Sequence, residues 1–254
     1  MPRETTTIDP AHDPNPISNA GPRFLAPELP DRPGSTVTLE RDQARHAIRV
    51  LRLSEGSPVQ LMDGKGGTAY AKLTATDPDQ TTCTITSVEH TPAPMPRIEL
   101  ATAIPKGPRA DSMVNDLAQL GTDVLIPLIT DRSVVYPRDN KLSRFTKAAA
   151  EAGKQSGNTW FMQVEAVTVF DAALVCDAEL KLIADPEAEP IPGLVRRLDS
   201  VSTVRVLIGP EGGLTDAERA AAIEAGFVTW SFSPNVLRIE TAAIAAVAIL
   251  RSQA

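Results

Sequence analysis

The sequence predicts an α/β fold with a mostly parallel sheet, preceded by a small β-barrel, and three patterns carry that expectation. Residues 36–88 fall into short strand-like segments separated by turn residues, the spacing of a small barrel. From Ile98 onward, strand-like and helix-like segments alternate, which is how parallel strands are connected. Between Val204 and Leu250 the chain reads strand, Gly-rich loop, helix, strand, polar loop, helix, and both loops follow the carboxyl ends of their strands. In open α/β sheets that edge is where ligands bind.

Taken in order, residues 1–20 are rich in Pro, Asp and Asn and too poor in apolar side chains to fold, so they read as a flexible tail in which His12 is incidental. Residues 21–91 read as the barrel, with strands at 36–39, 59–62, 68–73 and 82–88. Asp63-Gly64-Lys65-Gly66-Gly67 supplies a hairpin-type turn. A helix over 41–51 interrupts the strands. Arg41, Arg45, Arg49 and Arg52 recur on it at three- and four-residue spacing and so share a face, while Ala44, Ile48 and Leu51 are expected to face inward. That face is either an ordinary solvated one or a stripe whose guanidinium forks meet phosphates.

The proline-rich stretch 91–96 reads as a stiff joint. Residues 97–254 then form the α/β domain, with strands expected at 98–103, 124–128, 164–169 and 180–183 and helices at 110–120 and 142–152. The strand 204–208, apolar except for Arg205, breaks into Gly209-Pro210-Glu211-Gly212-Gly213. Thr215 and Glu218 have capping-box spacing, and Gly226 suits the left-handed position that closes a helix. A strand at 227–232 and a loop at 233–237 follow. Glu240 and Thr241 then stand as a first-turn acid and an N-cap ahead of the apolar run 242–250.

A chain of 254 residues has room for two modest domains, each with a core. Its formal charge of −7 argues against a general nucleic-acid coat, because such binding rests on phosphate neutralisation; a selective RNA enzyme with a local basic patch stays open. Cys83 and Cys176 are far apart without metal-like spacing, which reads as a reducing compartment with no zinc site. No apolar run is long enough to span a membrane, and the N-terminus has no signal-like character, so a cytoplasmic location is expected.

The words IGPEGGLTDAE, the Gly226-Phe227 pair and LRIETA resemble the SPOUT-class RNA methyltransferases, specifically the RsmE family, which methylates N3 of a uridine in small-subunit (16S) ribosomal RNA. The resemblance continues upstream in IPKGPRADSMVNDLAQLGTDVLIPLITDRSVV, in RFTKAAAEAGKQSGN and in RHAIRVLRLSEGSPVQLMDGKGG, and so covers nearly everything from Phe24 onward. It implies a C-terminal trefoil-knotted SPOUT-type domain, a PUA-like or OB-like N-terminal barrel, S-adenosylmethionine as cofactor, a homodimer, and as partner small-subunit ribosomal RNA, free or in the assembled 30S subunit. It implies neither a metal nor a membrane. The chain departs from the family's usual pattern at Gln119, Asn158 and Ile239.

The resemblance and the residues' own places on the basic helix and the ligand edge together give the candidate site residues. Ile183, Ile208, Gly209, Pro210, Gly213, Phe232 and Leu237 are expected to hold the cofactor, the glycines by letting backbone approach and the apolar residues by walling the adenine. A phosphate-cradling loop would end in Gly-Lys-Ser/Thr, which is absent here. Arg238 is the candidate for stabilising the uracil anion, with Glu240 orienting it or taking the proton; the bland alternative is an Arg–Glu pair bracing the helix start. Arg45, His46, Arg49, Arg52, Lys106, Arg109, Arg132 and Gln155 are the candidate RNA contacts, His46 being equally readable as a packed barrel residue. Trp160 and Phe161 are readable as base-stacking or as core. Two other classes remain open: a non-catalytic ribosomal-RNA-binding protein with a degenerate methyltransferase domain, and a nucleotide- or phosphate-using α/β enzyme.

Overall fold

Turn residues do cut the N-terminal third into short strands. A computed structural model of the chain describes residues 21–191 and 194–252, so the tail expected at 1–20 lies outside the described residues. The strands β1 (Arg23–Leu25), β2 (Thr36–Thr38), β3 (Pro58–Met62), β4 (Gly67–Ala75) and β5 (Thr82–His90) form a five-stranded sheet in the order β1-β3-β4-β5-β2. The β3–β4, β4–β5 and β2–β5 pairs are antiparallel and β1–β3 is parallel. Between β3 and β4 the turn is made by Gly64 and Gly66, at φ +72° and +97°, a region side-chain-bearing residues avoid. Phe24, Leu39, Val59, Leu61, Leu73 and Ile85 fill this sheet's core. Cys83 lies among them, and burial pushes its thiol up to about 11.

The basic helix departs from simple helical spacing. Its α-helical part, α1 (Arg41–Arg45), passes into a π-helical turn over His46–Val50, in which the Leu51 N–H donates to the His46 carbonyl. A turn closed over five residues changes which side chains face inward. Ala44 and Ala47 are therefore buried and Ile48 half-buried, whereas Leu51, expected inside, is exposed.

The second unit comprises Gly64–Gly66 and the described residues from Thr91 on. Its elements are β6 (Arg97–Thr102), α2 (Pro108–Gln119), β7 (Val124–Ile129), α3 (Asp139–Ser156), β8 (Gln163–Val164), β9 (Thr168–Val169), α4 (Phe170–Leu174), β10 (Leu180–Ala184), α5 (Leu194–Leu198), β11 (Thr203–Ile208), α6 (Asp216–Glu224), β12 (Val228–Trp230) and α7 (Ile239–Arg251). The sheet order is β12-β10-β11-β6-β7-β8, with β9 also paired to β7, and each of these pairs is parallel. Strands covered on both faces should be apolar on both, and β7, VLIPLI, is, as is β11, TVRVLI, apart from Thr203 and Arg205. On one side Leu100, Leu182 and Val206 pack with Met113 and Leu117 of α2, Phe145 of α3 and Val247 and Leu250 of α7. On the other, Ile183 and Leu207 pack with Phe170, Ala222 and Phe227.

Arg205, the charged residue in β11, is accommodated by an ion pair with Glu99 of β6 and by donating to the carbonyls of Ala173 and Val175. The single strand expected over 164–169 divides in two, because the chain pairs with Val124–Leu125 at β8 and again with Leu128–Ile129 at β9. The last helix begins earlier than expected: Arg238 is its N-cap, without a side-chain cap, and Thr241 lies inside the helix. The Thr215–Glu218 capping box is present and Gly226 stands at φ +89°. Phe161 fills the space above Gly153 and Gly64, and the Trp160 indole donates to the Thr91 carbonyl, so both aromatics are engaged within this unit.

Glu218 is buried and accepts from Asp131 N–H, Thr215 N–H and the Thr215 hydroxyl. Glu218→Ala leaves these donors unmatched and should cost about 2–3 kcal/mol in urea unfolding, against about 1 kcal/mol for Thr215→Ala. With its thiol raised, Cys83 should resist a thiol-specific reagent at about pH 8 in the native protein and react once urea unfolds it.

Candidate active site

Parallel pairing puts the carboxyl ends of β10, β11 and β12 side by side, and the segments that follow these strands wall one cavity of about 350 Å³. Ile183 and Asp185 come from the end of β10, Ile208–Leu214 from the loop after β11, and Trp230–Ser233 with Leu237 from the loop after β12; Ile239 and Ala242 of α7 complete it. Ile183, Ile208, Gly209, Pro210, Gly213, Phe232 and Leu237, the seven residues expected to hold a cofactor, all line this one cavity.

The loop after β11 is tightly built. Gly213 N–H donates to the Pro210 carbonyl at 2.8 Å, with Gly213 itself at φ +71°. A Cβ on Gly209 would stand 3.1 Å from the Leu214 side chain, so the strand end packs closely on its own loop. From the loop after β7, Arg132 donates to the carbonyls of Gly212, at 2.8 Å, and Leu214, at 3.4 Å. The Trp230 and Phe232 rings meet at 4.5 Å between centroids. Asp185, buried beside the cavity, is paired with Arg219 of α6. This pair was missed from the sequence, although Asp185 directly after an apolar strand at the ligand edge is the signal for it.

Arg238 and Glu240 do not pair with each other. Two residues apart at a helix start, they point to different sides. Arg238 is exposed and, among the described residues, has no ion pair; Glu240 Oε1 lies 3.3 Å from Arg109 Nη1, and Glu240 Oε2 is buried with no hydrogen-bond partner. Arg109 also reaches Glu211, at 3.7 Å.

The other candidate RNA contacts divide between the two units. In the first, Arg45 shares Asp79 with Arg41, at 3.1 and 2.8 Å, while His46, Arg49 and Arg52 are exposed. In the second, Lys106 and Gln155 are exposed, and Arg109 and Arg132 are engaged as described.

Residues 91–251 match the RNA methyltransferase domain family and residues 39–86 the RNA methyltransferase PUA domain family. The ribosomal RNA small subunit methyltransferase E of Synechocystis is 32% identical over 226 residues, which cover 84% of this chain and 72% of that protein. The chain belongs to the ribosomal RNA small subunit methyltransferase E family. The namesake from Bacillus subtilis is 28% identical over 231 residues, covering 86% of this chain and 90% of that one. A crystal structure of the ribosomal RNA small subunit methyltransferase E from Neisseria gonorrhoeae, bound to S-adenosyl methionine, superposes with a TM-score of 0.83 at 30% identity, covering 91% of this chain and 97% of that chain.

Because Arg132 holds two carbonyls of the loop after β11, Arg132→Ala should speed amide hydrogen exchange at residues 209–214 several-fold, with little change in melting temperature, as measured by mass spectrometry.

Proposed function

We propose that this chain methylates N3 of a uridine in small-subunit ribosomal RNA, with the methyl donor held in the cavity at the ends of β10, β11 and β12. That the chain is an S-adenosylmethionine-dependent methyltransferase of small-subunit ribosomal RNA follows from its family and from the donor-bound relative. The observation that carries the site assignment is the meeting of three strand-end segments in one cavity lined by all seven residues expected for the donor.

The residues fit the donor. A cavity of about 350 Å³ falls within the size range of small-molecule sites. Ile183, Ile208, Phe232 and Leu237 offer apolar faces for an adenine ring, and the glycines of the β11 loop leave backbone groups within reach. When bound, S-adenosylmethionine supplies an electrophilic methyl carbon on a sulfonium sulfur.

The protein's part is positioning and proton handling. Exchange of N3–H for N3–CH3 releases one proton and spreads transient negative charge over the uracil O2 and O4. Arg238, exposed and without an ion pair among the described residues, stabilises that charge. Glu240, whose Oε1 is held by Arg109, takes the proton. Alignment of the reactants supplies on the order of 7–11 kcal/mol, whereas a general base contributes about 10²–10⁴-fold, at most roughly 5.5 kcal/mol. Geometry is the larger share, in keeping with a site made of loops and few titrating groups.

On the RNA side, Arg45, His46, Arg49 and Arg52 of the PUA unit, with Lys106, Arg132 and Gln155 of the second unit, are the proposed contacts. The family resemblance adds a homodimer in the cytoplasm and a trefoil-knotted chain. The knot is supported by β11 lying between β10 and β6 with β12 outside β10, while α7 packs on β6, β11 and α2. Among the described residues no helix is long and apolar enough to cross a membrane.

Arg238→Ala should bind S-adenosylmethionine within about twofold of wild type by calorimetry yet transfer methyl about 10²–10³-fold more slowly, the usual loss when a charge-stabilising donor is removed. Wild-type transfer rates in the variant would overturn the catalytic assignment. A wild-type protein that takes up no S-adenosylmethionine would instead make it an RNA-binding protein. Mass spectrometry of the product nucleoside checks the N3 position.

A further inference from the structure

We infer that Arg109 is a positioning residue of the methyl-transfer site, a strut between two of its walls, and not a contact for RNA; the inference rests on the reading above. Arg109 stands in the first turn of α2, after β6, and its guanidinium lies between two carboxylates. Nη1 is 3.3 Å from Glu240 Oε1, in the first turn of α7, and Nη2 is 3.7 Å from Glu211 Oε1, in the loop after β11. One side chain thus ties together the segments that follow β6, β11 and β12.

The two arms differ in strength. Glu240 has a side chain only 16% exposed, against 44% for Glu211 and 38% for Arg109 itself, so the first pair is partly shielded from water and the second largely screened. Among the described residues Glu240 has no other partner: Oε2 is buried without one, and the helix start carries no side-chain cap that would pin it from its own backbone. A buried carboxylate oxygen left unmatched is costly, so the carboxylate stays in place because Arg109 holds its other oxygen. The hold on Oε1 fixes the position of the Glu240 carboxylate, which the reading above makes the proton acceptor.

Without the guanidinium, Glu211 and Glu240 lose the cation they share, and the β11 loop and the start of α7 lose the tie between them. Arg109 acts through these two residues, and its effects should divide between them. Lysine in its place keeps the charge and loses the fork that reaches both carboxylates.

The test is a pair of double-mutant cycles on the full chain. Arg109→Ala should weaken S-adenosylmethionine binding about tenfold and lower kcat about 100-fold, leaving the RNA KM and its salt dependence as in wild type. Arg109→Lys should restore much of the binding and less of kcat. Arg109→Ala combined with Glu211→Gln should be non-additive in S-adenosylmethionine affinity, and combined with Glu240→Gln non-additive in kcat. Amide exchange at residues 209–214 and 239–242 should rise in Arg109→Ala whether or not RNA is present, a readout that needs no activity. A raised RNA KM with a shallower salt slope, at unchanged kcat and donor affinity, would make Arg109 a phosphate contact and overturn the inference. Unchanged amide exchange would also overturn it. Should Arg109→Ala fail to fold, the Arg109→Lys and Glu211→Gln variants carry the same cycle. If the wild-type protein transfers no methyl at all, the functional reading falls, while the exchange measurement still decides the strut.

Discussion

The site depends on one constraint, the parallel register of β12, β10, β11 and β6. Parallel strands all deliver their chains to the same edge, and a chain leaving that edge must turn before it can form the next helix. Three such turns, after β10, β11 and β12, therefore meet at one edge. The apolar strands supply rigidity; the segments beyond them supply the chemistry.

The polar groups around this edge are then devoted to holding the turns still. Glu218 caps α6 and also accepts from the backbone of Asp131. Next in the chain, Arg132 reaches back to Gly212 and Leu214. Asp185 and Arg219 lock the end of β10 to α6, and Arg109 links the start of α2 with Glu211 and Glu240. Each bond is ordinary in strength. Their shared effect is that a cavity formed from loops has the fixed geometry usually given by strands and helices, which is what a reaction dominated by alignment demands.

Much of this could be read from the chain because it is local. A strand ending in Gly-Pro-Glu-Gly-Gly, a threonine three residues before a glutamate and a glycine closing a helix each follow from backbone requirements met within a few residues, and each stands where the sequence put it. What escaped was either too short or too distant. β1, of three residues, and α4 and α5, of five, are too brief to show a period. The π-turn at His46–Val50 depends on how the chain leaves the helix and not on composition, so Leu51 faces solvent where regular helical spacing turns it inward. Arg109 and Glu240 are 131 residues apart, and no spacing rule connects them. Adjacency in the text made Arg238 and Glu240 look like partners; helical geometry separates them.

Glu218 serves two segments at once. Its carboxylate is at once the lock of a helix start and the anchor of a neighbouring loop, so neither can swing without undoing the other. One side chain thus joins the cavity wall made by α6 to the segment after β7, whereas the stretch after β12 faces solvent at Pro234, Asn235 and Val236.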